Sequence, residues 1–274
     1  MYSLAYSPCP NDTFIFAALT NGLIPDAPKV EVVLDDVEAL NTAAAAGRYE
    51  LTKVSYGAIP YLTERYRILR SGGALGRGVG PLLVAREPRS LDSFGPAARF
   101  AIPGKRTTAY LLLRLALGRE PNVVELRFDR VMDAVKAGEV DAGLIIHESR
   151  FTYAALGLHK VIDVGDWWES TTGNPLPLGA ILVRRDIAPQ DGRAIDAAIR
   201  RSLAFAYERE DAIIDYVRAH AFEMDDEVMR KHIALYVNAF SEDLGDAGIA
   251  AVNELFARAA DAGLIPSARR AEFV

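Results

Sequence analysis

Ala46-Gly-Arg-Tyr-Glu-Leu-Thr-Lys-Val-Ser-Tyr56 and Ala137-Gly-Glu-Val-Asp-Ala-Gly-Leu-Ile-Ile-His147 are two versions of one pattern. Each reads as a helix end, a terminating glycine, an acidic residue, and an apolar strand that finishes on a polar side chain. Aligned on Gly47 and Gly138, Glu50 falls on Asp141 and Tyr56 on His147. A second echo pairs Gly80-Pro-Leu-Leu-Val-Ala-Arg86 with Gly179-Ala-Ile-Leu-Val-Arg-Arg185, each a glycine, an apolar strand and a basic end. Together they predict two similar α/β lobes joined by two crossing strands. The first lobe is expected to hold residues 1–84 and 183–274, the second residues 85–182. In such a hinge-closing architecture the ligand sits between the lobes at the carboxyl ends of the strands. Ser55-Tyr56 and His147 would then face one cleft from opposite walls.

Working outward, strand-like and helix-like runs alternate, which predicts an α/β fold with a largely parallel sheet. Strands are expected at 3–7, 30–34, 51–55, 81–86, 99–102, 123–128 and 142–146. Helices are expected at 12–19, 37–46, 58–64, 107–117 and 131–137, and over most of the chain from Arg193 onward, as 194–218 and 225–255.

Composition narrows the function. The 274 residues are half apolar and a quarter charged, which excludes disorder and low complexity. A net charge of −6 argues against a nucleic-acid partner, which needs a basic face. The single cysteine, Cys9, allows no intramolecular disulfide and no thiolate metal cage. The four histidines, at 147, 159, 220 and 232, include no His-x-x-x-His pair, so no metal is expected. No apolar run approaches the roughly 20 residues of a membrane span. The first residues read as a strand and its turn rather than a leader, so a cytoplasmic location is expected.

Four segments carry candidate chemistry. Ser7-Pro-Cys-Pro-Asn-Asp-Thr-Phe14 opens the first helix. Asn11, Asp12 or Thr13 would cap it, or its free N–H groups would meet a polar or anionic ligand group; both readings stand. Cys9 has no histidine nearby in sequence to activate it. Pro103-Gly-Lys-Arg-Thr-Thr-Ala-Tyr110 occupies the matching point of the second lobe. Its spacing is not that of a nucleotide-phosphate loop, but Thr107, Thr108 and the helix start suit a carboxylate, with Lys105 and Arg106 adding positive charge. Gly72–Gly80 has no G-x-G-x-x-G fingerprint, so no dinucleotide cofactor is expected and a hinge or close backbone approach is the favoured reading, with Arg77 as a candidate ligand contact. In Leu144-Ile-Ile-His-Glu-Ser-Arg150 an apolar strand delivers His147 to the predicted cleft, where it reads as a general base. The other three histidines read as structural or exposed. Asp166-Trp-Trp168 reads as stacking or packing, with packing favoured for at least one tryptophan.

Ser7–Phe14, Leu51-Thr-Lys-Val-Ser-Tyr56, Ser71–Gly80, Gly143–Tyr153, Pro175-Leu-Pro-Leu-Gly-Ala180 and Tyr236-Val-Asn-Ala-Phe-Ser241 resemble the 1,4-dihydroxy-6-naphthoate synthases of the futalosine route to menaquinone. The resemblance runs through nearly the whole chain. It implies a type 2 periplasmic-binding-protein-like fold used as a cytoplasmic enzyme, without a cofactor. The implied reaction converts cyclic dehypoxanthine futalosine to 1,4-dihydroxy-6-naphthoate as the sugar-derived part is cleaved away. The resemblance maps a catalytic base onto His147 and ligand contacts onto Thr52, Lys53, Val54, Ser55, Thr107 and Thr108. A small-molecule substrate is the expected partner, with a monomer or homodimer as the acting species and no membrane or nucleic acid. The alternatives are a chorismate-dehydratase-like enzyme and a ligand-binding protein without catalysis. The Ser7–Asp12 and Ile145–Ser149 segments speak against the first, and the absence of a leader against the second.

Overall fold

A computed structural model describes residues 1–221, 225–266 and 271–274. The chain opens with β1 (Tyr2–Tyr6), α1 (Pro10–Thr20), β2 (Val30–Leu34), α2 (Val37–Ala45) and β3 (Leu51–Ser55). The short strands β4 (Tyr66–Ile68) and β5 (Ala74–Gly76) follow. The chain then passes to β6 (Leu82–Ala85), β7 (Arg99–Ile102), α3 (Thr108–Leu117), β8 (Asn122–Glu125), α4 (Val131–Ala137) and β9 (Ala142–Ile145). It continues through α5 (Ser149–Thr152), β10 (His159–Asp163) and α6 (Val164–Thr172) to the long strand β11 (Leu176–Arg184). Helices α7 (Pro189–Glu208), α8 (Ile214–His220), α9 (Asp226–Tyr236), α10 (Ala239–Glu242) and α11 (Gly245–Asp261) complete it.

Two sheets result. The first runs β2-β1-β3-β11-β4, with β5 also on β11, and the second runs β10-β6-β9-β7-β8. Both are mixed, which corrects the largely parallel expectation. Pairs β1–β2, β1–β3, β7–β8 and β7–β9 are parallel, but β6 and β11 run antiparallel to all their neighbours. These two strands arrive from the opposite sheet, so no crossover helix turns them to run with the others. β6 lies wholly in the second sheet and β11 wholly in the first. The expected boundaries at 84/85 and 182/183 therefore fall inside strands, and the changes of sheet come earlier, within 77–81 and 173–175.

The first echo is a real structural repeat. Gly47 and Gly138 both adopt left-handed backbone, with φ of +70° and +76°, as glycine allows at a helix end. Glu50 accepts the Ser3 N–H at 2.7 Å and Asp141 accepts the Arg99 N–H at 2.8 Å, each tying the start of its sheet's central parallel pair. Leu51 pairs with Leu4, and its counterpart Ala142 pairs with Phe100.

Helix α1 is buried from Pro10 to Leu19, against the first sheet and helices α7 to α9. Its mostly apolar sequence matches that all-round burial. A larger core joins both sheets, linking Val54, Tyr56 and Leu182 to Phe100, Leu112, Leu144 and the fully buried Trp168. The helix expected at 58–64 is only a single turn of 3-10 helix, Ile59–Tyr61, where Pro60 supplies no N–H. The helices expected at 194–218 and 225–255 are broken, the first after Glu208 and the second at Val237–Asn238 and Asp243–Leu244. At the first crossing, a Cβ on Gly80 would lie 2.3 Å from the Gly165 Cα, so glycine is needed for this close approach.

Candidate active site

The carboxyl ends of β1, β3 and β9 and the start of α3 converge on one cavity of about 90 Å³. Ser7 reaches it from the turn after β1, Asn11 and Asp12 from the first turn of α1, and Lys53, Val54 and Ser55 from β3. Thr107 and Thr108 come from the start of α3, and Ile146 and His147 from the end of β9. His232 and Tyr236 enter from α9, and Leu178 and Gly179 from β11.

His147 holds left-handed backbone, φ +57°, an uncommon conformation for a residue with a side chain. Its ring meets Phe128 edge-on at 5.0 Å. Its Nδ1 lies 3.3 Å from the Cys9 Sγ, across the divide between the two sheets. Burial pushes its pKa down to about 4, with Asp12 pulling it up and Lys53 pressing it further down. At neutral pH His147 is therefore an uncharged imidazole, the form that takes up a proton. Burial also pushes the Cys9 thiol well up, so it is a protonated partner of the ring rather than a nucleophile. Fold geometry thus supplies the neighbouring histidine that chain order conceals.

The opposite wall is built on a buried ion pair. Lys53 Nζ donates to Asp12 Oδ1 at 2.5 Å and to the Gly72 carbonyl at 3.2 Å. Asp12 also accepts from Asn11 Nδ2 (2.9 Å), Ser7 Oγ (2.8 Å) and the Ser7 N–H (3.3 Å). The residue capping α1 is Cys9, without a side-chain cap, so Asn11, Asp12 and Thr13 sit inside the helix rather than capping it. Asn11 and Asp12 instead spend their side chains on this network.

The two hydroxyls of the α3 start differ. Thr107 caps the helix, accepting the Tyr110 N–H at 3.2 Å. Thr108 Oγ1 accepts the Gly57 N–H at 3.0 Å and donates to the Leu178 carbonyl at 2.7 Å, bridging the two sheets. Nearby, Glu38 accepts the Arg106 N–H at 3.2 Å, and a Cβ on Gly104 would collide with the Glu38 carboxyl. The two walls are therefore held together in a closed arrangement.

Several expectations are corrected. Arg77 is on the surface, donating to the Gly173 carbonyl and facing Glu169 at 3.5 Å, so it does not line the cavity. Thr52 is fully buried in β3, with its hydroxyl on the Lys53 carbonyl, and is not among the residues lining the cavity. Tyr56 is fully buried against Phe256 instead of facing the cleft. Lys105 pairs with Glu125 on the surface, and the Arg106 guanidinium turns to the Asn41 carbonyl. Trp168 packs, donating to the Pro175 carbonyl, and Trp167 lies against the same core.

His232, expected to be structural or exposed, lines the cavity together with Tyr236, to which the sequence assigns no role. Met229, His232 and Tyr236 are all buried, at the i, i+3, i+7 spacing of one helix face. A histidine inside such an apolar stripe is the signal that points to it.

A family described as menaquinone biosynthesis matches residues 2–261. A 1,4-dihydroxy-6-naphthoate synthase of Thermus thermophilus is 54% identical over 273 residues, 99% of this chain and 98% of that one. Another from Streptomyces coelicolor is 47% identical over 270 residues, 96% of this chain and 94% of that one. A crystal structure of a protein from Archaeoglobus fulgidus superposes with a TM-score of 0.90 at 39% identity, covering 96% of this chain and 98% of that one. The alkanesulfonate-binding protein of Xanthomonas axonopodis pv. citri, solved bound to MOPS, superposes at 0.75 with 16% identity, covering 98% and 95%. At that identity the likeness concerns the fold alone, the bilobal fold of periplasmic binding proteins. By these matches, spanning nearly its whole length, this chain is an enzyme of the menaquinone biosynthesis family, alongside the 1,4-dihydroxy-6-naphthoate synthases.

Proposed function

We propose that this chain converts cyclic dehypoxanthine futalosine to 1,4-dihydroxy-6-naphthoate, with His147 as the base that starts an elimination. The observation that carries this reading is His147 itself. It is an uncharged imidazole at the end of β9, lining the cavity between the two sheets, with Nδ1 held by Cys9. With Nδ1–H donating to the Cys9 sulfur, the other ring nitrogen keeps the lone pair that takes the substrate proton. Removal of an activated proton leaves its electron pair to form the new double bond of the aromatic ring, and the sugar-derived group departs with the bonding pair. The conversion is redox-neutral in this form and calls on no cofactor or metal.

Ser55 and the α3 start supply polar contacts to a bound molecule on the facing walls. The free N–H groups of α3 favour a carboxylate there. On this reading the two walls part for entry and close for reaction. Closure excludes water and aligns the base. On this reading the protein acts in the cytoplasm as a monomer or homodimer, with a small molecule as its partner.

The test is turnover by the purified protein, read by mass spectrometry with cyclic dehypoxanthine futalosine and, separately, with chorismate. Release of 1,4-dihydroxy-6-naphthoate from the first substrate alone is expected. Turnover of chorismate alone would replace this reading with a dehydratase. Binding without turnover of either would leave a ligand-binding protein.

A further inference from the structure

We propose that His232 is a second substrate-contacting residue, whose Nδ1 accepts a hydrogen bond from a hydroxyl of the sugar-derived part of the substrate. This rests on the reading that the cavity holds that substrate. His232 lines the cavity from α9, only 1% exposed, with its ring centroid 6.4 Å from that of His147 and the two planes 20° apart.

The tautomer follows from a chain of fixed donors and acceptors. A carboxylate in an ion pair only accepts hydrogen bonds, and Asp12 pairs with Lys53 Nζ at 2.5 Å. Asn11 must therefore turn its Nδ2 to Asp12 Oδ1, at 2.9 Å, which leaves its Oδ1 as an acceptor. That Oδ1 lies 2.9 Å from His232 Nε2, so Nε2 carries the hydrogen. Burial, reinforced by His147, keeps the ring uncharged, so Nδ1 is a bare lone pair. Nδ1 is buried and has no hydrogen-bond partner among the described residues. A buried acceptor left unpaired costs about 1–3 kcal/mol, and on a side chain that lines a cavity a donor brought by a ligand accounts for it. The network thus presets an acceptor, and it calls for an O–H or N–H donor rather than an anion.

Two variants separate this role from support of the fold. His232→Gln keeps a donor facing Asn11 and removes the acceptor, whereas His232→Asn keeps an acceptor near the place of Nδ1 and gives up the bond to Asn11. The first is expected to melt close to wild type and to lose about 10- to 100-fold in kcat/KM, and the second to retain more activity despite lower stability. Analogues lacking each sugar-derived hydroxyl in turn complete the cycle. One of them should cost the wild type about 10- to 100-fold and be used equally well by His232→Gln, because the lost partner is then missing on both sides. Wild-type turnover that no single hydroxyl deletion impairs overturns the proposal even if a variant fails to fold. An unchanged kcat/KM in His232→Gln also overturns it and leaves the functional reading intact. Failure of the wild type to turn over the parent substrate overturns the functional reading, and this proposal with it.

Discussion

Asp12→Asn tests the buried network at its centre. The carboxylate receives four donors, from Lys53, Asn11 and twice from Ser7, at 2.5 to 3.3 Å, and is 2% exposed. An amide offers one oxygen in place of two and turns an NH2 group toward groups that themselves donate. It also leaves the Lys53 ammonium, with its side chain 7% exposed, without its counter-charge. Removing one partner of a buried ion pair costs about 3–5 kcal/mol, because the charge that remains is desolvated and unpaired. At about 2–4 °C per kcal/mol, the melting temperature should fall by about 6–20 °C. Replacing both partners by apolar residues, Asp12→Leu with Lys53→Met, removes the stranded charge and should recover much of that loss. Thermal unfolding followed by circular dichroism at pH 7.5 measures all three proteins. A single variant that costs less than about 1 kcal/mol, or a double variant no more stable than the single, would refute the reasoning.

Other expectations follow from the same structure. His147 has a folded pKa of about 4 against roughly 6.5 unfolded, so its contribution is complete above pH 6.5 and is lost as pH falls from 6.5 toward 4. Between pH 7.5 and 5 that loss is about 2 kcal/mol, to which His232 adds in the same direction; urea unfolding at the two pH values checks it, and a His147→Gly variant with an unchanged pH dependence would contradict it. Gly80→Ala forces a Cβ to within 2.3 Å of the Gly165 backbone and should cost about 1–3 kcal/mol, whereas Gly95→Ala, with nothing within 4 Å and ordinary φ, should be close to neutral. Equal melting temperatures for those two variants would sink the account of the crossing.

Much of the architecture was legible because it rests on local chemistry repeated twice. The glycines at 47 and 138, the acidic residues at 50 and 141 and the apolar strands after them declare themselves within eleven residues each. The helix start at Thr107 and the delivery of His147 by β9 were legible for the same reason. What stayed hidden depends on pairing between distant segments. β4 and β5 have three residues each and exist by pairing on β11, so no periodicity marks them. The antiparallel courses of β6 and β11 follow from the crossings, not from composition. Cys9 and His147 are 138 residues apart in sequence and 3.3 Å apart in space. His232 reads as a helix face to be buried, and only the placement of α9 over the α1 turn brings it to the cavity. Arg77 misled because a basic residue among glycines suits a ligand loop, whereas here the loop carries it to the surface.

The central claim is that His147 moves the proton in the inter-sheet cavity. Single-turnover kinetics of His147→Ala and His147→Gly with cyclic dehypoxanthine futalosine, alongside substrate affinity by calorimetry, address it most directly. Glycine suits the φ of +57°, so that variant guards against loss of fold. The account predicts that both variants bind substrate with near-normal affinity while the chemical step slows by about 100- to 10,000-fold. A chemical step within about tenfold of wild type, with the substrate bound, would contradict it.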